Sequence, residues 1–377
     1  MGCRRNVVPG SRSTVSSVIA HGRPGLLWLL AQVACLPPAA FAMVMATGIL
    51  SIATDELGRG KLSLAFLVVA AAAYAILSAL TGWRLLVFPS HALGDARSPE
   101  QAFGYFTFVA GTNLLALRLS AAGWTPVAEA LGLVAAASWL LLSYGLVAVL
   151  VTDPGGGTPW RSVNGTWLVW VVGTQSVAGA AAVAAPAHPP EAQALALAAT
   201  GVWAAGAVLY LLLMALMIAR LLLVDLTPEE LGPDYWITMG AAAITVLVAA
   251  DLLGAAQWLP VHPGFVRDVG FMLWAFGTWW IPLLVVLGVW RHVLRRVPLR
   301  YDTALWAMVF PLGMYAAASQ SYGTVAGLRP LQAVADIEVW FAIASWTATF
   351  VAMLIAAFDT FARWWLSRAD AGGGASA

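Results

Sequence analysis

The fold is decided by the stretch Phe41-Ala-Met-Val-Met-Ala-Thr-Gly48, in which glycine follows an aromatic residue after two helical turns. The theme returns as Tyr105-Phe-Thr-Phe-Val-Ala-Gly111, Trp167-Leu-Val-Trp-Val-Val-Gly173, Trp236-Ile-Thr-Met-Gly240 and Trp306-Ala-Met-Val-Phe-Pro-Leu-Gly313. The runs between these stretches are rich in Leu, Ala, Val and Trp on all sides. This alternation predicts two kinds of helix, one packed inside and one facing lipid.

The composition places most of the chain in a membrane. Of the 377 residues, 61% are hydrophobic and 10% are charged, whereas a soluble domain carries about 25% charged residues. A membrane-spanning helix needs about 20 apolar residues, and its backbone groups must be hydrogen-bonded within the segment. We therefore predict an all-α integral membrane protein with ten transmembrane helices. They are Leu36–Thr54, Leu62–Leu86, Ala102–Ser120, Thr125–Val151, Val163–Ala185, Ala192–Val224, Tyr235–Leu253, Phe265–Leu294, Thr303–Gln320 and Val339–Trp365.

The five glycines of the repeat fall in the odd-numbered spans. When each span is projected as a helix with 3.6 residues per turn, the face that carries the glycine also carries further small, hydroxyl or amide residues. This pattern predicts five helical hairpins around a central pore lined by the odd-numbered helices. The alternative is that each glycine only lets neighbouring helices pack closely. The predicted pore-lining residues are Gly48, Ser51, Thr107, Gly111, Thr166, Gly173, Ser176, Gly240, Gly313 and Gln320.

Lysine and arginine are divided unevenly between the two sides of the predicted bundle. With ten spans, 14 of the 19 lie on the side of the termini and five on the other. The positive-inside rule then predicts a multi-pass plasma-membrane protein with both termini in the cytoplasm. We predict a cytoplasmic N-terminal tail at 1–35, the ten-helix domain at 36–366 and a disordered cytoplasmic tail at 367–377.

Ionisable residues lie near the predicted helix ends, so the middle of the pore is uncharged. An uncharged, hydroxyl-lined path suits weak binding and rapid release of anions. Arg118 lies seven residues after Gly111, on the same face, where it would attract anions at the external mouth; the alternative is a snorkelling interfacial arginine. The cluster Arg291-His-Val-Leu-Arg295-Arg296 sets topology or contacts anionic lipid.

Several function classes find no support in the sequence. A net charge of +1 gives no reason to expect a nucleic-acid partner. The two cysteines and five histidines lack the spacing of metal ligands. The sequence also lacks a catalytic dyad and a phosphate-binding loop. We therefore expect no metal, no cofactor and no catalytic residue, and we do not expect an enzyme.

The same segments resemble the tellurite-resistance/C4-dicarboxylate transporter family, whose relatives include slow anion channels, malate permeases and sulfite efflux pumps. The matching residues are Pro38–Ile49, Phe106–Asn113, Gly165–Ser176 and Trp306–Tyr315. The resemblance implies ten helices in five hairpins, inner odd-numbered helices around a pore, and a homotrimer. Family members often bend several inner helices at proline, whereas here the ninth span is the only inner span in which we identify an interior proline.

The resemblance also implies a gate and two candidate functions. Relatives place a phenylalanine of the ninth helix across the pore, and Phe310 is the matching position; the alternative is ordinary packing beside a kink at Pro311. The expected function is channel-like transport of small anions through a Phe-gated central pore. The alternative is a proton-coupled or gradient-driven carrier of C4-dicarboxylates, sulfite or tellurite-type oxyanions.

Overall fold

The computed structural model describes residues 24–153 and 162–373. In this part of the chain the regular structure is helical. In chain order the α-helices are α1 (Pro24–Ala34), α2 (Ala42–Glu56), α3 (Gly60–Val87), α4 (Pro89–Ala96), α5 (Phe106–Ala121), α6 (Thr125–Thr152), α7 (Val169–Ala187), α8 (Ala192–Leu223), α9 (Ile237–Gly254), α10 (Pro263–Val289), α11 (Trp306–Ala326) and α12 (Arg329–Gly373).

The predicted tails overlap helical structure. Helix α1 lies within the predicted N-terminal tail, and α12 continues past the predicted domain end at residue 366 to Gly373. Residues 1–23 and 374–377 lie outside the described residues. The domain boundaries therefore stay predictions.

Nine helical segments of the described chain are long and apolar enough to cross a membrane. The remaining predicted span, the ninth in chain order, is α11; it is long but less apolar, because it contains Pro311, Gly313, Gln320 and several hydroxyl residues. An all-α integral membrane fold is confirmed, while the count of ten crossings stays a prediction. The last outer helix starts ten residues earlier than predicted, at Arg329 instead of Val339.

The odd-numbered spans are the inner helices α2, α5, α7, α9 and α11. Each contacts two others in the closed order α2, α5, α7, α9, α11 and back to α2. Each is followed by an antiparallel outer helix that packs against it. Four of the inner spans are among the nine apolar segments, and 67–83% of the residues in their most apolar stretches are buried. In the five outer spans the buried share is 11–33%. The prediction of five hairpins with the odd helices inside is confirmed.

Aromatic side chains of the outer helices hydrogen-bond to residues of the next inner helix. An indole N–H donates in four of the five cases, whereas in the fifth the threonine hydroxyl of the inner helix donates to a tyrosine hydroxyl of the outer helix. The distances are 2.9–3.2 Å. These bonds tie each hairpin to its neighbour around the whole ring, and α12 closes it on α2. The pairs are Tyr74–Thr112, Trp139–Thr174, Trp203–Thr245 (backbone oxygen), Trp274–Ser319 and Trp346–Thr47.

Candidate functional site

Every inner helix begins with a tight 3-10 turn at the same end of the bundle. The turns contact one another in the same closed order as the helices. Two junctions need glycine: a Cβ on Gly165 would lie 2.0 Å from the backbone oxygen of Asp234, and one on Gly104 would lie 3.0 Å from the nitrogen of Ala39. The five turns are Pro38–Phe41, Ala102–Tyr105, Gly165–Leu168, Pro233–Trp236 and Thr303–Leu305.

This ring of turns concentrates positive helix dipoles at one mouth. The inner helices run in the same direction, so five helix N-termini converge there. Each N-terminus acts as roughly half a positive charge. Five together amount to roughly two and a half positive charges around the axis, which favours an anion. The carboxylates of Asp234 and Asp302 accept backbone N–H groups at two of the turns and offset part of this charge.

The five repeat glycines lie at contacts between neighbouring inner helices. A Cβ on Gly48 would meet Leu114, and one on Gly173 would lie 2.9 Å from Phe106. The remaining three behave in the same way: Gly111 faces Val44, Gly240 faces Pro311, and Gly313 faces Ile49. Close helix packing is therefore a role that the structure gives to all five. Lining of the central axis by these glycines stays a prediction.

Phe310 lies in α11 and is 1% exposed. The next residue, Pro311, packs on Gly240 of α9, where a Cβ would lie 2.7 Å from the proline Cγ. The benzene ring of Phe310 thus belongs to the buried interior of the bundle, beside an inter-helix contact that permits little movement. Its role as a gate stays a prediction.

Three of the four predicted pore-lining hydroxyls are already hydrogen-bonded. Thr107 donates to the carbonyl of Gly104 and Ser176 to that of Gly173, both at 2.7 Å. Ser51 donates to the carbonyl of Ser63 at 2.8 Å. A hydroxyl has one hydrogen to donate, so these groups must rotate before they solvate an anion.

Two buried amides accompany these hydroxyls. The amide nitrogen of Asn113 donates to Ser176 Oγ at 3.0 Å, and that of Gln175 donates to the carbonyl of Trp203 at 3.1 Å. Within the described chain the amide oxygen of each has no hydrogen-bond partner. Such acceptors are costly when buried, and the amide of Gln175 lies against the outer helix α8.

A cavity of about 460 Å³ lies at the end where the inner helices begin. Thr166, a predicted pore-lining residue, lines it. Arg220, 4% exposed, also lines it and donates to the Tyr235 hydroxyl at 2.5 Å. The same guanidinium lies 3.5 Å from Glu230, and Asp234 accepts from the Gly165 N–H at 2.9 Å. These bonds fix the loops that carry the 3-10 turns.

Arg118 lies at the opposite end of the bundle in a polar cluster. Its guanidinium forms an ion pair with Asp55 at 2.9 Å, and its Nε donates to Ser63 Oγ at 3.0 Å. Ser63 in turn bonds to Ser51. The cluster joins α2, α5 and the start of α3, and Asp55 balances the arginine charge. Attraction of anions by Arg118 stays a prediction.

An acidic pair lies at the same end as Arg118. Glu56 closes α2 and accepts from Ser321 of α11 at 2.7 Å. Asp251 of α9 interacts electrostatically with Glu56, and its Oδ2 lies 3.3 Å from the Cβ position of Gly179 in α7. Four inner helices therefore meet around two carboxylates. Gln320 is half-buried next to Ser321.

Comparison with known proteins identifies the family. Residues 35–354 match the sequence model of the family described as voltage-dependent anion channel. The chain belongs to the voltage-dependent anion channel family. The resemblance to tellurite-resistance and C4-dicarboxylate transporter relatives is thereby confirmed.

Two kinds of relative are similar to parts of this voltage-dependent anion channel family member. An uncharacterized membrane protein of Mycobacterium tuberculosis is 47% identical over 148 residues, which are 39% of this chain and 75% of that protein. An uncharacterized transporter of Methanocaldococcus jannaschii is 25% identical over 149 residues, or 40% of this chain and 43% of the relative. Both are consistent with a membrane protein of a transport family.

Sequence reasoning missed Glu56 as a member of the site. The prediction placed Asp251 near a helix end, and the structure agrees. Glu56 is 195 positions earlier in the chain, and only the closed ring of this voltage-dependent anion channel family member brings the two together. The sequence did hold one signal for this pair, since both carboxylates lie near the ends of inner spans on the same side of the membrane.

Proposed function

We propose that the chain is a channel for small monovalent anions, with its path along the axis of the inner ring. The observation that carries this proposal is the convergence of five inner-helix N-termini at one mouth. Helix dipoles there favour anions, while the middle of the ring binds them weakly because it offers hydroxyl groups and backbone dipoles instead of fixed positive charges. Membership of an anion channel family supports the same conclusion.

The gate in this proposal is Phe310. Its buried aromatic ring would keep the constriction dry, and a dry constriction blocks ions. Displacement of the ring opens the path. Because Pro311 packs on Gly240, movement of Phe310 requires α11 to shift against α9. This coupling supports a gate that opens by helix movement.

The wider setting of the proposal is a plasma-membrane protein with both termini in the cytoplasm. The mouth formed by the 3-10 turns then faces the cytoplasm. We further propose a homotrimer in which each chain has its own path, as the family resemblance implies. Crosslinking of the purified protein in nanodiscs tests this: a ladder that ends at the trimer supports it, and one that ends at the monomer contradicts it.

A second candidate is a proton-coupled carrier of C4-dicarboxylates, sulfite or tellurite-type oxyanions. Glu56 and Asp251 favour it, because titratable carboxylates inside a membrane bundle mark proton pathways. They lie where four inner helices meet. Protonation of these carboxylates would remove negative charge from the end of the bundle opposite the 3-10 turns when an anion passes.

Flux in proteoliposomes separates the two candidates. Chloride, nitrate, sulfite and malate uptake is measured with and without a pH gradient, for wild type and Asp251→Asn. Asp336→Asn, which changes an exposed carboxylate of α12, is the matched control. Gradient-independent flux of chloride and nitrate supports the channel. Malate or sulfite flux that needs the gradient and is lost only in Asp251→Asn supports the carrier and contradicts the channel.

A further inference from the structure

A second cavity of about 280 Å³ adjoins the larger one at the Arg-rich end of the bundle. Its walls come from the last turns of α10, the turn at Tyr235 and Trp236, and the start of α11. Arg291 and His292 line both cavities. Among the residues that line the smaller cavity none carries a carboxylate. It is an apolar crevice with a basic end.

The crevice opens toward the lipid-facing surface. Val285 and Val289 of α10, which line it, are 49% and 47% exposed. Leu299, in the connection to α11, is 78% exposed and lines both cavities. A hydrocarbon chain could therefore enter from the bilayer without crossing a polar barrier.

Arg291 has hydrogen-bonding capacity left over at the basic end. One terminal nitrogen donates to the carbonyl of Leu231, while Nε has no partner within the described chain. Arg220, which is more than nine-tenths buried in the wall of the neighbouring cavity, also has an unpartnered Nε. Both Nε atoms are buried, so an anionic oxygen in the crevice would be held by the terminal N–H groups of Arg291, which also interacts electrostatically with Asp234.

The backbone of residues 290–296, which contain Arg291 and His292, is irregular. Residues Trp290–Leu294 form a π-helical turn, and Arg296 has a φ of +54°. Both features are uncommon and tend to mark functional positions. The turn directs the chain from α10 into the loop that leads to the gate helix.

We propose that this crevice binds an anionic phospholipid, with its phosphate at Arg291 and His292 and an acyl chain along the apolar wall of α10. Basic pockets between transmembrane helices take anionic headgroups in this way. Leu305 and Met308 line the crevice, and Met308 is two residues before Phe310. The bound lipid therefore contacts the start of α11. Its binding does not depend on the proposed transport, whereas its effect on flux does.

Binding is measured on the purified full chain in detergent by native mass spectrometry. The probes are dioleoylphosphatidylglycerol, dioleoylphosphatidylcholine and inorganic phosphate. Arg291→Gln removes the headgroup contact. Gly288→Leu fills the crevice, since a Cβ there meets no atom within 4 Å. Arg295→Gln changes an exposed neighbouring arginine that lines neither cavity.

We expect phosphatidylglycerol to bind more tightly than phosphatidylcholine. Arg291→Gln should weaken it about fivefold or more, as the loss of one basic contact implies. Gly288→Leu should weaken it similarly, and Arg295→Gln should change it less than twofold. Equal binding of the two lipids, equal loss in Arg295→Gln, or full displacement by phosphate overturns the proposal. Flux in vesicles with and without phosphatidylglycerol is a separate readout, so its failure tests only the proposed transport.

Discussion

Replacing Gly240 by alanine perturbs the contact between α9 and α11, the helix that carries the proposed gate. The new Cβ would lie 2.7 Å from Cγ, 2.9 Å from Cβ and 3.1 Å from Cα of Pro311. Carbon atoms in contact are about 3.5–4.0 Å apart, and the proline ring cannot rotate away. The helices must separate, which costs about 1–3 kcal/mol.

The matched control is Gly201→Ala in α8, where a Cβ meets no atom within 4 Å. Both variants gain the same helix propensity, about 1 kcal/mol, so this contribution cancels in the comparison. Gly240→Ala should therefore be less stable than Gly201→Ala by about 1–3 kcal/mol.

Unfolding in mixed detergent micelles measures this difference through the fluorescence of the 19 tryptophans. We also expect Gly240→Ala to change anion flux, because Phe310 adjoins the displaced contact. Equal unfolding midpoints for the two variants would refute the packing argument. If Gly240→Ala is destabilised but its anion flux is unchanged, the contact between Gly240 and Pro311 does not affect the proposed gate.

Two further predictions concern charged groups at the end of the bundle opposite the 3-10 turns. If Arg118 attracts anions, Arg118→Ala lowers the anion conductance at unchanged expression. Asp55→Asn removes the partner of the arginine charge and should raise the conductance. Single-channel recording checks both variants, and unchanged conductance in both would mean that Arg118 has a structural role alone. A hydrogen bond to the carbonyl of Ala184 and the nearby Glu129 raise the pKa of His188. The protonated histidine therefore stabilises the folded protein below the unfolded pKa of about 6.5. This stabilisation is lost as the pH rises through the higher pKa of the folded state. The unfolding midpoint should fall slightly between pH 6 and pH 8, and less so in His188→Asn.

The alternation of spans was predictable because lipid imposes a simple rule on sequence. The outer helix α6 is more apolar than the inner span that contains α2, with a mean hydropathy of 2.2 against 1.4. The ring order follows a general tendency, since consecutive elements usually pack next to each other.

The direction in which small residues face was not predictable in the same way. Gly111 and Thr112 are adjacent, yet the glycine faces α2 and the threonine hydroxyl bonds to Tyr74 of α3. A single-helix projection does not reveal which neighbour occupies each side. The same reason hid the pairing of Arg118 with Asp55, because their positions in separate inner helices converge only in the ring.

We propose that anions pass along the axis of the inner ring and are stopped by Phe310. The most direct test of this proposal compares chloride flux in Phe310→Ala and Phe66→Ala. Both residues are buried phenylalanines, and both truncations cost about 3–5 kcal/mol of packing, but Phe66 belongs to the outer helix α3. A large increase in flux for Phe310→Ala alone is the predicted result. Equal flux in both variants, with both proteins folded and inserted, would contradict it.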